Sequence, residues 1–244
     1  MRQAYGAHGV VGYYQQEGTS YRNPHTHALG VALSAALSEV FGGDQQERLL
    51  SPVPAPAAPP AEANVLRLSG ARRQGQPDGG GGGGGGGGEG GGDLSLRLLD
   101  LACGSGEAAI AVAAWLNAAA PRFGRLVLTA ADPYTAGAFR AHTGLPRVEP
   151  WSFEDVQGGA LEGRSYDAVA VSFALHLLDE SRLYATLSAL SAASRWLFLL
   201  SPHKRPHVKD GCGWALVHSS VRERVHVRFY ESCNVAVAPA AGCR

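Results

Sequence analysis

Residues 96–114 read LRLLDLACGSGEAAIAVAA. An apolar run ends there at Asp100, the chain turns through Gly104 and Gly106, and an alanine-rich segment follows. The run has the length of a buried strand, and the segment after it has the composition of a helix. Glycines lack the Cβ atom that would keep a ligand away from the backbone, and the start of a helix offers unpaired N–H groups. This order of strand, glycine turn and helix predicts a site for a nucleotide-like ligand.

Apolar runs and helical patterns alternate through the rest of the chain. Strands are predicted at 96–101, 126–131, 166–173 and 196–200, with a weaker one at 148–151, and helices at 26–41, 107–119, 135–142 and 179–193. Such alternation is typical of βαβ units, so we predict a Rossmann-like α/β fold with a mostly parallel sheet and helices on both faces. Apolar and polar residues alternate over 224–229, which predicts an antiparallel edge strand near the C-terminus.

The glycine turn, read as Asp100-Leu-Ala-Cys-Gly104-Ser-Gly106, resembles the first motif of class I S-adenosylmethionine-dependent methyltransferases, an acidic residue at a strand end followed by G-x-G. The resemblance implies S-adenosyl-L-methionine as the cofactor and Asp100 near its methionine end. A carboxylate suits that ligand, because it attracts an ammonium group and a sulfonium centre but repels a pyrophosphate. Of the segments that resemble this family, only the first motif is specific.

Further cofactor contacts are expected at the ends of the next two strands. Asp132 ends the run LVLTAAD, where a nucleotide-binding fold places an acid on the ribose hydroxyls. Alignment with the family's adenine loop brings Ser152 and Phe153 to the adenine, with Glu154 or Asp155 as the alternative if the loop is shifted. The predicted cofactor set is Asp100, Ala102, Gly104, Gly106, Asp132, Ser152 and Phe153.

Candidate acceptor residues lie in three places. His176 and His203 follow predicted strands and are candidates for a general base, although a lone histidine there is more often a packed side chain. Lys204 and Arg205 could bind an anionic acceptor or form a solvated loop. The N-terminal segment resembles the lid of small-molecule methyltransferases, in which its polar and aromatic side chains would line the pocket or attach the first helix to the domain. The lid candidates are Tyr14, Tyr21, Asn23 and His25.

Two expectations come from departures of this chain from the family pattern. No N-P-P-Y sequence follows the fourth strand, which disfavours planar nitrogen acceptors and leaves a small-molecule acceptor as the expected substrate. The segment 203–213 is short and polar where the family usually has a helix before a closing pair of strands. We therefore expect the C-terminal end of the sheet to be abbreviated.

Two other functional classes remain open at this point. Gly104-Ser-Gly106-Glu-Ala-Ala109 also satisfies G-x-G-x-x-A, so an NAD-type oxidoreductase is the first alternative. A noncatalytic protein that keeps a Rossmann-like fold for binding is the second.

Composition predicts the domain organisation. Pro/Ala-rich sequence followed by ten consecutive glycines at 79–88 cannot build a core, and 65–68 is the one stretch of this segment that could form structure. We divide the chain into a helical lid segment at 1–50, a disordered insert at 51–93, the cofactor-binding domain at 94–232 and a flexible tail at 233–244.

Charge and cysteine content bear on partners and location. The chain has 21 Lys and Arg against 21 Asp and Glu, so no net field would attract nucleic acid or an anionic membrane. Four cysteines without C-x-x-C spacing, no leader pattern and no long apolar run favour a cytoplasmic protein. The histidines have no acidic or cysteine partner at metal-ligand spacing, so no metal site is expected.

Overall fold

The computed structural model describes residue 18 and residues 21–50, 61–68 and 94–235. A seven-stranded sheet in the order β1-β3-β2-β4-β5-β7-β6 forms its centre. The strands are β1 (Asn64–Arg67), β2 (Leu94–Leu101), β3 (Phe123–Ala131), β4 (Tyr166–Ser172), β5 (Ser194–Ser201), β6 (Trp214–Arg222) and β7 (Val225–Ser232). The α-helices are α1 (Thr26–Phe41), α2 (Glu107–Ala119), α3 (Ala136–Thr143), α4 (Phe153–Gln157) and α5 (Glu180–Ala193).

The four central strands β3, β2, β4 and β5 run parallel, and the outer pairings are antiparallel. Every residue of β4 is buried, as expected for a parallel strand that is covered on both faces. Separate apolar clusters lie on the two faces of the sheet, one with α1 and α2 and the other with α5. The predicted α/β class, with a mostly parallel sheet and an antiparallel C-terminal edge, is confirmed.

The C-terminal end of the sheet differs from the sequence prediction. Of the segment 224–229, predicted as the edge, residues 225–229 lie in β7, which pairs with both β5 and β6; the edge strand is β6. The prediction was wrong because alternating polar residues indicate an exposed face and not an unpaired edge, and β6 pairs along the outer edge of β7. Even the polar face is partly covered, since Arg228 is buried and donates to the carbonyl oxygen of Pro206 at 2.7 Å. The closing pair of strands is complete, and no helix separates β5 from β6, so the missing helix on which the expectation of an abbreviated end rested is confirmed.

The other end of the sheet is completed by a strand from outside the cofactor-binding segment. Residues 64–67, within the predicted insert, form β1 and pair antiparallel with residues 125–128 of β3. Asn64 fixes a neighbouring segment, because its Nδ2 donates to the Arg147 carbonyl at 2.8 Å and its Oδ1 accepts from the Arg147 N–H at 3.2 Å. The weak strand predicted at 148–151 is reduced to one parallel bridge between Ala131 and Glu149.

Helix α1 brings the N-terminal segment to the sheet. Its buried side chains recur at helical spacing, and the last of them, Phe41, contacts Trp196 edge-on with ring centroids 4.8 Å apart. Towards the amino ends of β2 and β4, Arg97 and Asp167 form a buried ion pair, with 2.7 Å between Nη2 and Oδ1. No helix in the described ranges is long and apolar enough to cross a membrane.

Candidate ligand-binding site

A cavity of about 270 Å³ lies at the carboxyl ends of β2, β3 and β4. This edge of a parallel sheet is where open α/β folds bind ligands, and the volume is close to the lower end of small-molecule sites, ~300–1,000 Å³. Aromatic and aliphatic side chains make most of the wall: Tyr21, Leu101, Pro133, Tyr134, Trp151, Phe153, Phe173, Leu177 and Leu178. The polar side chains of the wall are Asp132, Ser152, Glu154, Ser172, Asp179 and Arg182.

The glycine turn places its two glycines in different surroundings. Gly104, at φ 57°, lines the cavity together with Ala102, which holds φ 56° although it is not a glycine. Gly106, at φ 88°, does not line the cavity; a Cβ added there would lie 2.5 Å from Cγ2 of Thr143 and 3.0 Å from the Phe139 ring. Gly104 and Ala102 therefore present backbone to a ligand, whereas Gly106 lets α2 approach α3.

Asp100 is completely buried at the end of β2 and does not line the cavity. Its Oδ2 accepts from the Ala109 N–H at 3.2 Å, while its Oδ1 has no hydrogen-bond partner. Burial, followed by the negative charges of Glu107 and Asp132, raises the pKa of Asp100 well above its ordinary value, against the effect of the Ala109 hydrogen bond. Other carboxylates are thus close enough to disfavour its charged form.

Asp132 lies at the carboxyl end of β3 and faces the cavity. Its Oδ2 accepts from the Gly104 N–H at 3.2 Å, and its Oδ1 accepts from the N–H groups of Tyr134 at 2.8 Å and Thr135 at 3.0 Å. The side chain therefore ties the glycine turn to the start of α3. Asp132 thus combines a turn-forming role with a position on the cavity wall.

Glu107 is a site residue that sequence reasoning missed. It opens α2, is buried, and accepts hydrogen bonds from the Ser105 hydroxyl at 2.5 Å and from the Asn23 N–H at 3.2 Å. The available signal was an acidic residue directly after G-x-G, but an acid in the first turn of a helix is common for reasons of the helix dipole alone. Its contact with Asn23 depends on tertiary structure.

The carboxyl groups of Asp100, Glu107 and Asp132 lie around the glycine turn, and each residue is at most 7% exposed. None of the ion pairs formed by the described residues includes any of the three. The turn is therefore a centre of carboxyl groups with which no cation of the described residues is paired.

Residues 21–25, here called the strap, cross this centre. A Cβ placed on Gly104 would lie 3.0 Å from the Tyr21 ring, and the Tyr21 side chain lines the cavity. Asn23 is buried through its bond to Glu107, and its Oδ1 accepts from the His25 N–H at 2.9 Å. His25 stacks on Phe173 with centroids 5.4 Å apart. Tyr21 thus faces the cavity, Asn23 and His25 hold the strap, and Tyr14 lies outside the described residues.

The predicted adenine loop forms the start of α4. Ser152 and Phe153 both line the cavity, but the Ser152 hydroxyl accepts from the Asp155 N–H at 3.2 Å and donates to Asp155 Oδ2 at 2.7 Å. The Ser152 N–H also donates to Asp155 Oδ2, at 2.8 Å, and this bond and the one from the hydroxyl lower the pKa of Asp155. Of the two alternative acids, Glu154 lines the cavity and pairs with Arg182, whereas Asp155 caps the helix.

The histidine and basic candidates lie beside the cavity rather than on its wall. His176, His203, Lys204 and Arg205 are not among the lining residues. The His176 and His203 rings meet edge-on with centroids 6.0 Å apart, and Nδ1 of His176 is buried without a partner. Burial, followed by the charge of His203, lowers the pKa of His176, which favours a neutral imidazole.

Comparison with known proteins identifies one close relative. Uncharacterized protein C17A5.05c of Schizosaccharomyces pombe is 30% identical over 275 aligned positions, which cover 96% of this chain and 93% of the yeast protein. The chain belongs to the family of C17A5.05c. No model of a protein family matches the chain.

Several solved structures are similar over about half of this member of the C17A5.05c family. The magnesium protoporphyrin IX methyltransferase of Synechocystis PCC 6803 with bound SAM is 18% identical, over 57% of this chain and 69% of its own, at a TM-score of 0.41. An O-methyltransferase family protein from Burkholderia thailandensis is 17% identical, over 56% and 51%, at 0.43. The N-methyltransferase NodS of Bradyrhizobium japonicum WM9 with SAH is 11% identical, over 56% and 78%, at 0.38.

Proposed function

We propose that this chain is an S-adenosylmethionine-dependent methyltransferase with a small-molecule acceptor. The observation that carries the proposal is the group of three buried carboxylates, Asp100, Glu107 and Asp132, around the glycine turn. Buried charges are costly unless they are paired, so this group favours a cationic ligand. S-adenosylmethionine carries an ammonium group and a sulfonium centre.

The residues of the site fit this cofactor in three respects. Oδ1 of Asp100 is a buried oxygen without a hydrogen-bond partner, and a cation bound beside the turn would stabilise the charged form that burial disfavours. Gly104 has no Cβ, so a ligand can lie against its backbone. The apolar side chains of Trp151 and Phe153 offer surfaces for an adenine ring, with Glu154 as a nearby acceptor.

The same charges disfavour the dinucleotide alternative. A pyrophosphate bound at the start of α2 would lie against the carboxylates of Glu107 and Asp132, and like charges at such distances repel. The glycine turn alone fits either cofactor, and the acidic side chains around it favour S-adenosylmethionine. We therefore place Asp132 on the ribose side of the cofactor and Asp100 and Glu107 near its amino-acid end.

The bound cofactor supplies a methyl group on a sulfonium centre, which a nucleophile of the acceptor can attack. The contribution of this chain is alignment and exclusion of water. Tyr21 covers the glycine turn, and Phe173, held by the stacked His25, closes the side of the cavity at the end of β4. Because neither His176 nor His203 lines the cavity, we assign no general base; one is needed only when the acceptor must lose a proton.

The test is calorimetric titration of the full chain with S-adenosylmethionine, S-adenosylhomocysteine and NADH. Both adenosyl ligands should bind and NADH should not. Glu107→Gln keeps the acceptor for Asn23 but removes one charge, so it should weaken S-adenosylmethionine binding about tenfold, equivalent to ~1.4 kcal/mol. The uncharged thioether of S-adenosylhomocysteine should be affected less.

Glu47→Gln is the matched control, because Glu47 is exposed and pairs with Arg122 on the surface. It should leave both affinities unchanged. Absence of heat with either adenosyl ligand, or binding of NADH in their place, would refute the proposal. Release of S-adenosylhomocysteine when the protein and S-adenosylmethionine are incubated with a metabolite extract would separate an enzyme from a noncatalytic binding protein.

A further inference from the structure

A group of basic side chains lies beside the cavity, at the carboxyl end of β5 and the start of β7. We call His203, Lys204, His226 and Arg228 the basic cluster. Register brings its strands together, since Ser201 of β5 pairs with His226 and Leu199 with Arg228. His226 and Arg228 share one face of β7, opposite the buried side chains of Val225, Val227 and Phe229.

Arg228 is the unusual member of the cluster. It is only 8% exposed, and no ion pair among the described residues includes it. One nitrogen, Nη1, donates to the Pro206 carbonyl at 2.7 Å, but Nε and Nη2 are buried without hydrogen-bond partners. A buried guanidinium normally has a carboxylate or another anion as its partner, because the uncompensated charge is strongly unfavourable.

One neighbour of Arg228 is the Tyr230 phenol on the same face of β7: burial raises the pKa of Tyr230, and the charge of Arg228 and a side-chain hydrogen bond with it oppose that rise. The phenol is not an anion, and the other titratable neighbours add positive charge. Burial, followed by the charges of Arg228, Lys204 and His203, lowers the pKa of His226. Burial, followed by the charge of His203, also lowers the pKa of His176. Among the described residues, no carboxylate contributes to either shift.

Lys204 and Arg205, which follow His203, interact with different titratable groups. The charge of Lys204 acts on His226, whereas the charge of Arg205 acts on Glu180. Glu180 in turn pairs with Lys209 at 2.6 Å. The nearest carboxylate on α5 is therefore engaged by other cations and does not serve the basic cluster.

We propose that the basic cluster binds an anionic group of the acceptor, a carboxylate or a phosphate. The assignment as part of the acceptor rests on the proposed function. It is supported by position, because His176, which contacts His203, lies in the short 3₁₀ turn whose next residue, Leu177, lines the cavity. An anion there would meet the guanidinium of Arg228 and the Lys204 ammonium while the rest of the acceptor extends towards the cavity.

The experiment uses inorganic phosphate and acetate as probes, with chloride at equal ionic strength as the reference. Histidine side-chain NMR signals of the full chain should shift on addition of a probe, and the pKa of His226 should rise. Lys204→Ala should weaken probe binding about fivefold, as expected for the loss of one charge at a partly exposed site. Arg205→Ala is the matched control and should bind the probe as the parent chain does.

Arg228→Gln should abolish the shifts, and circular dichroism checks that this variant has the parent fold. If Arg228→Gln does not fold, the exposed substitution Lys204→Ala tests the proposal. Equal shifts with chloride, or equal losses in Lys204→Ala and Arg205→Ala, would overturn the anion site. Calorimetry with S-adenosylhomocysteine keeps the two proposals apart. If that ligand binds and neither anion does, the basic cluster is wrongly assigned; if an anion binds and S-adenosylhomocysteine does not, the proposed function fails.

Discussion

Substitution of alanine for the glycines of the turn separates its packing role from its ligand-binding role. An alanine at positive φ costs ~1–2 kcal/mol, offset by ~0.4–1 kcal/mol from the less flexible unfolded chain. At Gly106 the new Cβ would also lie 2.5 Å from Thr143 and 3.0 Å from Phe139, an overlap that adds ~1–3 kcal/mol. Gly106→Ala should therefore lower the free energy of unfolding by about 2–4 kcal/mol.

Two further glycines calibrate this value. Gly144 has φ 72° with no atom within 4 Å of an added Cβ, so Gly144→Ala measures the backbone cost alone, about 1 kcal/mol. Gly104→Ala should cost somewhat more, because its Cβ would lie 3.0 Å from the Tyr21 ring, and it should weaken S-adenosylhomocysteine binding, because the displaced Tyr21 ring lines the cavity. Gly106→Ala, once folded, should still bind the ligand.

The measurements are urea unfolding followed by circular dichroism and calorimetry on each variant under conditions where it is folded. Equal destabilisation by Gly106→Ala and Gly144→Ala would contradict the packing role of Gly106, since the overlap with Phe139 and Thr143 would then be absent. Equal affinity of Gly104→Ala and the parent chain for S-adenosylhomocysteine would contradict the ligand-binding role of Gly104. In that case the ligand does not lie against this turn.

Two other predictions concern buried charge. The folded state raises the pKa of Asp100, so its contribution to stability is complete below its unfolded pKa of about 3.9 and is lost as pH rises through the folded value. Asp100→Asn should thus become progressively more stable relative to the parent as urea unfolding is repeated from about pH 5 to pH 8, and a pH-independent difference would contradict this. Asp167→Asn leaves the buried Arg97 without its carboxylate and should lower the free energy of unfolding by about 3–5 kcal/mol in the same assay. The control Glu180→Gln breaks an exposed pair and should change stability little, and equal effects of the two substitutions would contradict this prediction.

The parallel part of the fold follows from local sequence. Helix α2 begins and ends at the predicted residues 107 and 119, and the central strands match their apolar runs closely, because buried parallel strands need continuous apolar sequence. The C-terminal hairpin does not follow in this way. The alternation of polar residues in β7 indicates an exposed face but not which strand of the hairpin pairs with β5, and the structure places β7 inside and β6 at the edge.

The candidate site shows the same division between local and tertiary information. Gly104, Asp132 and Phe153 could be placed because each follows a predicted strand, and such ends meet at one edge of a parallel sheet. Glu107 could not be placed in the site from the sequence, because it is held there by a hydrogen bond from the Asn23 N–H of the strap, 84 residues earlier in the chain. The separation of His176 from the cavity depends on the turn after β4 and has no sequence signal.

The origin of β1 has a practical consequence for anyone who shortens this chain. A fragment that keeps α1 but lacks residues 61–68 would contain every strand of the sheet except β1, and it would lose the backbone partners of residues 125–128. An uncovered row of N–H and C=O groups on a strand that contains Leu126 and Leu128 is a template on which another molecule can pair. Such a fragment should self-associate, and supplying residues 61–68 as a separate peptide should reverse the association.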